Sequence, residues 1–317
     1  LGKSLGQGGF GITYLAENMQ SGLRCCIKEY FPSGLLQGRT PDGALILADE
    51  ENRPEYEEGK QQFIEEACAL QELRENISVV DILDFFEENG TAYFAMELIE
   101  GCNLRVFRKN HNPKQTLKMA LQMLFLLGSS LAEVHRFGMI HGDISPENIL
   151  ITQDGEIKLI DFGAARSFRQ GSDNKERKIY LKPNYAPYEQ YTQKPCQGPW
   201  TDIYALAATF YFIVSGRKML DALSRAKGAS YPPLHELCPA VSRQLSDVID
   251  KALAFDYHDR YRRMLDFLDA LEQVVRPEDY DIDLGALMPK SKASKQAEIH
   301  VETSDDSEKM CQVEEQN

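Results

Sequence analysis

His141-Gly142-Asp143-Ile144-Ser145-Pro146-Glu147-Asn148, followed by Asp161-Phe162-Gly163, is the stretch on which the reading of this chain turns. An Asp, an Asn five residues on and a second Asp eighteen residues after the first make the donor set that phosphoryl transfer needs. One carboxylate can accept the proton of an attacking hydroxyl. The Asn and the later Asp can hold magnesium against nucleotide phosphates.

Downstream, apolar runs at 149–152 and 157–160 flank Asp154-Gly155 and predict a hairpin. Helical patterns cover roughly 114–136, 200–215, 241–254 and 263–275, and Pro277 is expected to stop the last of them. Upstream, short strand-like runs at 1–5, 12–17 and 24–30 are bounded by glycines. Residues 61–74 place Phe63, Ile64, Ala67, Leu70 and Leu73 at helical spacing. Runs at 79–86 and 92–98 meet at Glu88-Asn89-Gly90, another hairpin signal. Residues 31–60, rich in Pro, Gly, Asp and Glu, read as a loop insertion. The chain is therefore expected to be α+β, with a small strand-rich lobe at 1–99 and a larger helical lobe at 100–276. Residues 277–317 form an acidic and polar tail, expected to be disordered from about 289.

The formal net charge of −14 argues against nucleic acid, which needs clustered Lys and Arg to displace counterions. Seven cysteines, an odd number without Cys-x-x-Cys spacing, read as reduced thiols of a cytoplasmic protein. The most apolar stretches are 117–134 and 205–214. The first carries Lys118, Gln122, Ser129 and Ser130, and the second is too short to span a bilayer, so both read as buried helices and no membrane segment is expected. The chain opens at Leu1 directly on a glycine-rich motif, as a fragment of a longer protein would.

That motif, Gly6-Gln7-Gly8-Gly9-Phe10-Gly11, is followed by the strand-like Ile12-Thr13-Tyr14-Leu15 rather than a helix. A strand–turn–strand hairpin lays backbone N–H groups over a triphosphate, whereas a dinucleotide fold places a helix there. Lys28 sits among apolar strand residues, where an ammonium needs an anion or must reach for water; the sequence leaves both open. The anion available is Glu66. It shares the inward stripe of its helix with Phe63 and Leu70, while Glu65 is turned about 100° away.

With these residues in order, the chain resembles protein kinases of the eukaryotic-like, Hanks type, and its motif wording resembles the bacterial Ser/Thr branch. The resemblance rests on Gly6–Gly11, Lys28, Glu66, Asp143, Asn148, Asp161-Phe162-Gly163, Ala186-Pro187-Tyr188-Glu189, Asp202 and Arg260, over about residues 1–275. It implies a two-lobed fold with ATP and Mg²⁺ between the lobes and protein substrates as partners. Asp143, Lys28, Glu66 and Asn148 would be the catalytic set, with Asn148 and Asp161 holding the metal. ATP would lie against Leu5, Gly6, Gly8, Gly9, Gly11, Thr13, Cys26, Lys28, Met96, Glu97, Ile99 and Leu150. Met96 would be the gatekeeper, the backbones of Glu97 and Ile99 would bond adenine, and Cys26 and Leu150 would sandwich it. The resemblance further implies a stack of Leu70, Ile82, His141 and Phe162, a Glu189–Arg260 pair and an Asp202 anchor for the catalytic loop.

Two positions depart from the family pattern. Gly142 stands where most members carry the Arg that binds a phosphorylated activation loop. The segment between Asp161 and Glu189 contains no Thr, offering only Ser167, Ser172, Tyr180, Tyr185 and Tyr188. Activity is therefore expected not to require loop phosphorylation. Ser145 stands where Ser/Thr kinases usually place a Lys beside the γ-phosphate, and Lys178 and Lys182 are the nearest replacements. Two other readings remain. His-Gly-Asp with Asn five residues on also resembles small-molecule phosphotransferases, against which stand the Ala-Pro-x-Glu element and the helix start at Thr201-Asp202. A pseudokinase scaffold would be expected to lack Lys28, Asp143 or Asp161, and all three are present.

Overall fold

Short β-branched and aromatic runs separated by turns pair into a five-stranded antiparallel sheet. Its strands are β1 (Ser4–Gln7), β2 (Gly11–Glu17), β3 (Arg24–Tyr30), β6 (Ile82–Glu88) and β7 (Thr91–Glu97), in the order β1-β2-β3-β7-β6. The intervening β4 (Leu36–Arg39) and β5 (Leu45–Leu47) form a separate hairpin. The computed structural model describes residues 2–8, 11–73, 78–162, 166–167, 181–192 and 196–288. At the β6–β7 turn both Asn89 (φ 55°) and Gly90 (φ 74°) are left-handed, as the tight hairpin signalled by Asn-Gly requires. Helix α1 (Arg53–Glu72) packs Tyr56, Phe63, Ala67 and Leu70 against one face of the sheet. Phe63 lies between Tyr30 and Phe94, with ring centroids 5.7 and 4.8 Å away. On the opposite face Glu29 accepts from Tyr14 (2.9 Å) and Tyr93 (2.9 Å) and pairs with Arg39 of β4 at 2.5 Å, which docks the hairpin.

Residues 31–60, expected as a loop insertion, therefore hold a hairpin, a 3₁₀ turn at Glu50–Asn52 and the first turns of α1. The helix starts well before residue 61 because Pro54 suits a first turn, where its missing N–H costs nothing, and Tyr56 is buried one stripe before Phe63. The polar composition of this stretch hid both signals.

The second lobe is helical. It begins with β8 (Gly101–Asn103) and α2 (Leu104–Asn110), followed by the central α3 (Pro113–Arg136). Helix α3 starts at Asn112, whose side chain and that of Gln115 cap each other's backbone N–H. It is long and apolar enough to cross a membrane by length and composition, yet Met119, Leu124, Leu127 and Leu131 are wholly buried inside the lobe. Strands β9 (Met139–Ile140), β10 (Ile149–Thr152), β11 (Ile157–Leu159) and β12 (Arg166–Ser167) carry the site: β10 pairs β8 and β11, and β9 pairs β12. Helix α4 (Pro199–Ser215) is buried nearly all round and packs on α3. Helices α5 (Ala222–Ala226), α6 (Leu234–Leu237), α7 (Arg243–Ala252) and α8 (Met264–Glu272) complete the lobe.

Helix α8 ends at Glu272, before Pro277, and Pro277 instead opens α9 (Pro277–Tyr280). Residues 277–288 pack against the lobe: Tyr280 stacks on Phe125 at 4.6 Å, Lys118 donates to the carbonyls of Glu278 and Asp281, and Leu284 and Met288 are buried. The disorder expected from about 289 falls outside the described residues.

Candidate active site

The loop between β9 and β10 carries His141 to Asn148, and α4 supplies its anchor. Asp202, in the first turn of α4, is wholly buried. It accepts the backbone N–H of His141 (2.8 Å) and of Gly142 (2.9 Å), and pairs with His135 at 2.8 Å. Gln190 donates to the Gly142 carbonyl at 2.8 Å. Gly142 has φ +78°, a conformation that glycine adopts freely and a side chain resists. Burial pushes the His141 imidazole down to about 4, so the ring is neutral. Its Nδ1 accepts from the Asp143 N–H, which leaves Nε2 to donate to the Ile160 carbonyl.

Asp143 projects from this clamped loop. Asn148 Nδ2 donates to its carbonyl (2.9 Å) and to its Oδ2 (2.8 Å). Lys182, from the segment before the 3₁₀ turn Tyr188–Tyr191, pairs with the same Oδ2 at 2.9 Å and donates to Ser145 Oγ at 2.8 Å. Burial raises the Asp143 carboxyl to about 6 against the lowering effect of Lys182. Asn148, with its amide nitrogen committed to Asp143, keeps its amide oxygen as an acceptor.

Across the cleft, Lys28 of β3 reaches Asp161 Oδ1 at 2.7 Å. Burial alone would lower the Lys28 ammonium, but Asp161 and Glu66 hold it above its ordinary value. Lys28 in turn holds the Asp161 carboxyl well below the usual carboxylate range. Asp161 has φ +63°, one of two left-handed non-glycine residues among those described, and such strain is kept where the surroundings dictate it. Its side chain is 50% exposed, so a charged oxygen faces the cleft. The oxygens of Asp161 and Asn148 suit magnesium, which prefers hard oxygen donors.

Glu66 is 9% exposed and Glu65 is exposed, in keeping with the inward stripe. Glu66 Oε1 has no hydrogen-bond partner among the described residues, and burial pushes the carboxyl up to about 8. The ion pair of Lys28 is with Asp161, and Glu66, where ionised, adds a second negative charge beside the ammonium.

The other singled-out residues fall as follows. Gly6, Gly8 and Gly11 lie on the β1–β2 hairpin, where the Gly8 N–H donates to the Gly11 carbonyl at 2.8 Å; Gly9 is outside the described residues. A Cβ on Gly11 would stand 2.6 Å from the Glu29 carbonyl, too close for β2 to keep its place. Thr13 is opposite Lys28 and Cys26 is opposite Met96 in the sheet register. Leu5, Thr13, Met96 and Leu150 are half-buried; Cys26 and Ile99 are buried. Glu97 turns its side chain to Lys158 (2.8 Å) and its N–H to the Asp81 carbonyl, and lies opposite Cys25 in the sheet register. His141 and Phe162 touch, with centroids 4.3 Å apart, in the core that also holds Leu70 and Ile82. Gly163, Lys178 and Tyr180 are outside the described residues. Sequence reasoning missed Gln190 and His135, whose only signal is their neighbourhood to the Glu189 and His141 motifs.

The protein kinase domain family matches residues 1–270. Serine/threonine-protein kinase F of Synechocystis sp. is 31% identical over 277 residues, covering 82% of this chain and 52% of that protein. Serine/threonine-protein kinase PknA of Nostoc sp. is 29% identical over 280 residues, covering 85% of this chain and 46% of that protein. The chain thus spans about half the length of these curated relatives. Among solved structures, the apo form of PpkA-294 shares 35% identity at a TM-score of 0.70, covering 85% of this chain and 94% of that one.

Proposed function

This chain belongs to the protein kinase family, and from that premise we propose that it transfers the γ-phosphate of ATP to serine or threonine hydroxyls of proteins, without needing a phosphorylated activation loop. The observation that carries the reading is Asp143, held by Asn148 and Lys182 on a loop clamped by Asp202, facing the Lys28–Asp161 pair across the cleft.

In this reading the hydroxyl oxygen of the substrate attacks the γ-phosphorus while its proton passes to an Asp143 carboxylate oxygen. The bond from phosphorus to the bridging oxygen breaks and its electron pair leaves with ADP. Lys28 and the amides of the Gly6–Gly11 hairpin position the phosphates, and Glu66 is the carboxylate that holds Lys28 against them. Adenine takes the Glu97 carbonyl and the Ile99 backbone, between Cys26 and Leu150, with Met96 behind it. Asn148 and Asp161 would hold magnesium, which supplies charge neutralisation at the phosphates when bound. Catalysis is then mainly positioning and electrostatics.

Gly142 supports independence from loop phosphorylation. Its position has no cation to receive a phosphate, and the loop is clamped through the backbone by Asp202 and Gln190 instead. The buried Glu189–Arg260 pair fixes the segment that supports a peptide, which favours proteins over small alcohols as acceptors. The described cysteines are all unpaired, in keeping with a reducing compartment, and we place the domain in the cytoplasm.

The test is phosphate transfer from ATP to a generic protein acceptor and, in parallel, to small alcohols. Asp143→Asn and Asp161→Ala should each abolish transfer while thermal unfolding stays near that of the parent. Parent-like turnover in either variant would refute the assignment. Loss of activity on phosphatase treatment, with a mapped loop site, would refute the phosphorylation-independent part.

A further inference from the structure

We propose that Lys182 is the cation that meets the transferred phosphoryl group, standing in for the lysine that Ser145 replaces. The inference deepens the protein kinase reading and rests on it. Lys182 Nζ lies 2.9 Å from Asp143 Oδ2 and 2.8 Å from Ser145 Oγ. An ammonium carries three N–H donors, and these two contacts occupy two of them. Its side chain is 33% exposed, while Ser145 is wholly buried, so the ammonium caps the loop on its cleft side.

The position follows from the chemistry of the base. The attacking hydroxyl must lie within hydrogen-bond reach of Asp143, and its oxygen is the atom that bonds to phosphorus. A cation in contact with that carboxylate is therefore within a few ångströms of the equatorial oxygens, where charge spreads in the loose transition state. The lysine gives up no proton. It lowers the cost of the charge on the phosphoryl oxygens while the hydroxyl proton goes to Asp143 and the bridging-oxygen electron pair goes to ADP.

The backbone makes the placement a fixed one. The Lys182 carbonyl accepts the N–H groups of Tyr185 and Ala186, both at 2.9 Å, and Asn184 donates to the Met219 carbonyl at 2.7 Å. The turn is thus tied to the large lobe, and a preorganised cation needs no reorganisation at the moment of transfer. A lysine at 145 would enter a buried site already filled by this ammonium, so position 145 and position 182 are alternatives for one charge. The cation here is delivered by the segment that supports the substrate rather than by the catalytic loop.

Steady-state transfer from ATP to a generic protein acceptor tests this. Lys182→Ala should lower kcat about 100- to 1,000-fold while KM for ATP changes less than about threefold. Lys182→Arg should keep part of the activity. The swap Ser145→Lys with Lys182→Ser should return kcat to within about tenfold of the parent, because it restores the charge from the other side. A Lys182→Ala enzyme with kcat within about threefold of the parent would overturn the proposal. So would loss in Lys182→Ala with no recovery in either Lys182→Arg or the swap, which marks a merely structural lysine. Parent enzyme that transfers to no protein contradicts the underlying reading instead, and is told apart by that control.

Discussion

Removing the Glu189 carboxylate should destabilise the large lobe by about 3–5 kcal/mol, because it strands a buried guanidinium. The two side chains are 2% and 0% exposed. Arg260 gives Glu189 two parallel bonds of 2.7 and 3.1 Å, and its remaining donors go to the carbonyls of Ala254 (2.7 Å), Trp200 (3.3 Å) and Phe255 (2.9 Å). All the N–H groups of the fork are thus used, and Glu189 also accepts from Thr201 at 3.1 Å. In Glu189→Ala two of these N–H groups and a full charge lose their partner in a site without water access. At roughly 2–4 °C per kcal/mol for a domain of this order of size, the midpoint should fall by roughly 6–20 °C. Urea unfolding followed by circular dichroism measures the free energy directly. Arg260→Ala and the double variant complete a cycle whose coupling should exceed about 2 kcal/mol, since the pair is bidentate and desolvated. A cost below about 1 kcal/mol for Glu189→Ala, or a cycle without coupling, would refute the reasoning, because it would mean that water or another anion reaches the guanidinium.

Three further outcomes are expected. Gly142→Arg should cost about 1–2 kcal/mol in thermal unfolding, since a side chain is forced into φ +78°, and should not make activity respond to phosphatase. Gly101→Ala should cost about 1–3 kcal/mol by denaturant unfolding, because its Cβ would overlap the Ile151 carbonyl across the β8–β10 pair; a neutral effect would contradict the close approach. Glu66→Gln should stabilise the nucleotide-free protein as pH rises. The Glu66 carboxyl is raised to about 8, so its contribution is whole below its unfolded value and is lost as pH climbs through 8. The amide does not titrate, so the difference in midpoint between variant and parent should grow in favour of Gln from about pH 5 to 8.5; a flat difference would refute it.

Contacts set by spacing along one element were legible from residues alone. Glu66 could be separated from Glu65 because a helix turns the two apart, and Asn89-Gly90 announced its turn through backbone preference. The start of α1 was not legible. Tyr56 is its only fully buried residue before Phe63, and the charged positions around it look like loop. The order of residues 277–288 was hidden for the same reason, since Leu284 and Met288 are isolated apolar residues in a polar run. Partners far apart in sequence were harder still. The pattern put Glu66 beside Lys28, but the ammonium meets Asp161, 133 residues away, and nothing in local periodicity ranks two carboxylates that reach one cation from different lobes. The Arg39–Glu29 contact likewise exists only once the β4–β5 hairpin folds over the sheet.

The two odd residues of the opening stretch have a common structural consequence. A catalytic loop without a charged side chain at 142 or 145 cannot organise itself through its own cations. Here several of its polar ties run instead to residues later in the chain: Lys182 to Asp143 and Ser145, Gln190 to the Gly142 carbonyl, and Asp202 to the N–H groups of His141 and Gly142. Glu189, between the first two of these, is locked to Arg260, and Thr201 donates to that same carboxylate. The loop is thus tied to Lys182, Gln190 and Asp202, and the buried bond from the His141 N–H to Asp202 costs about 1–3 kcal/mol to leave unmade.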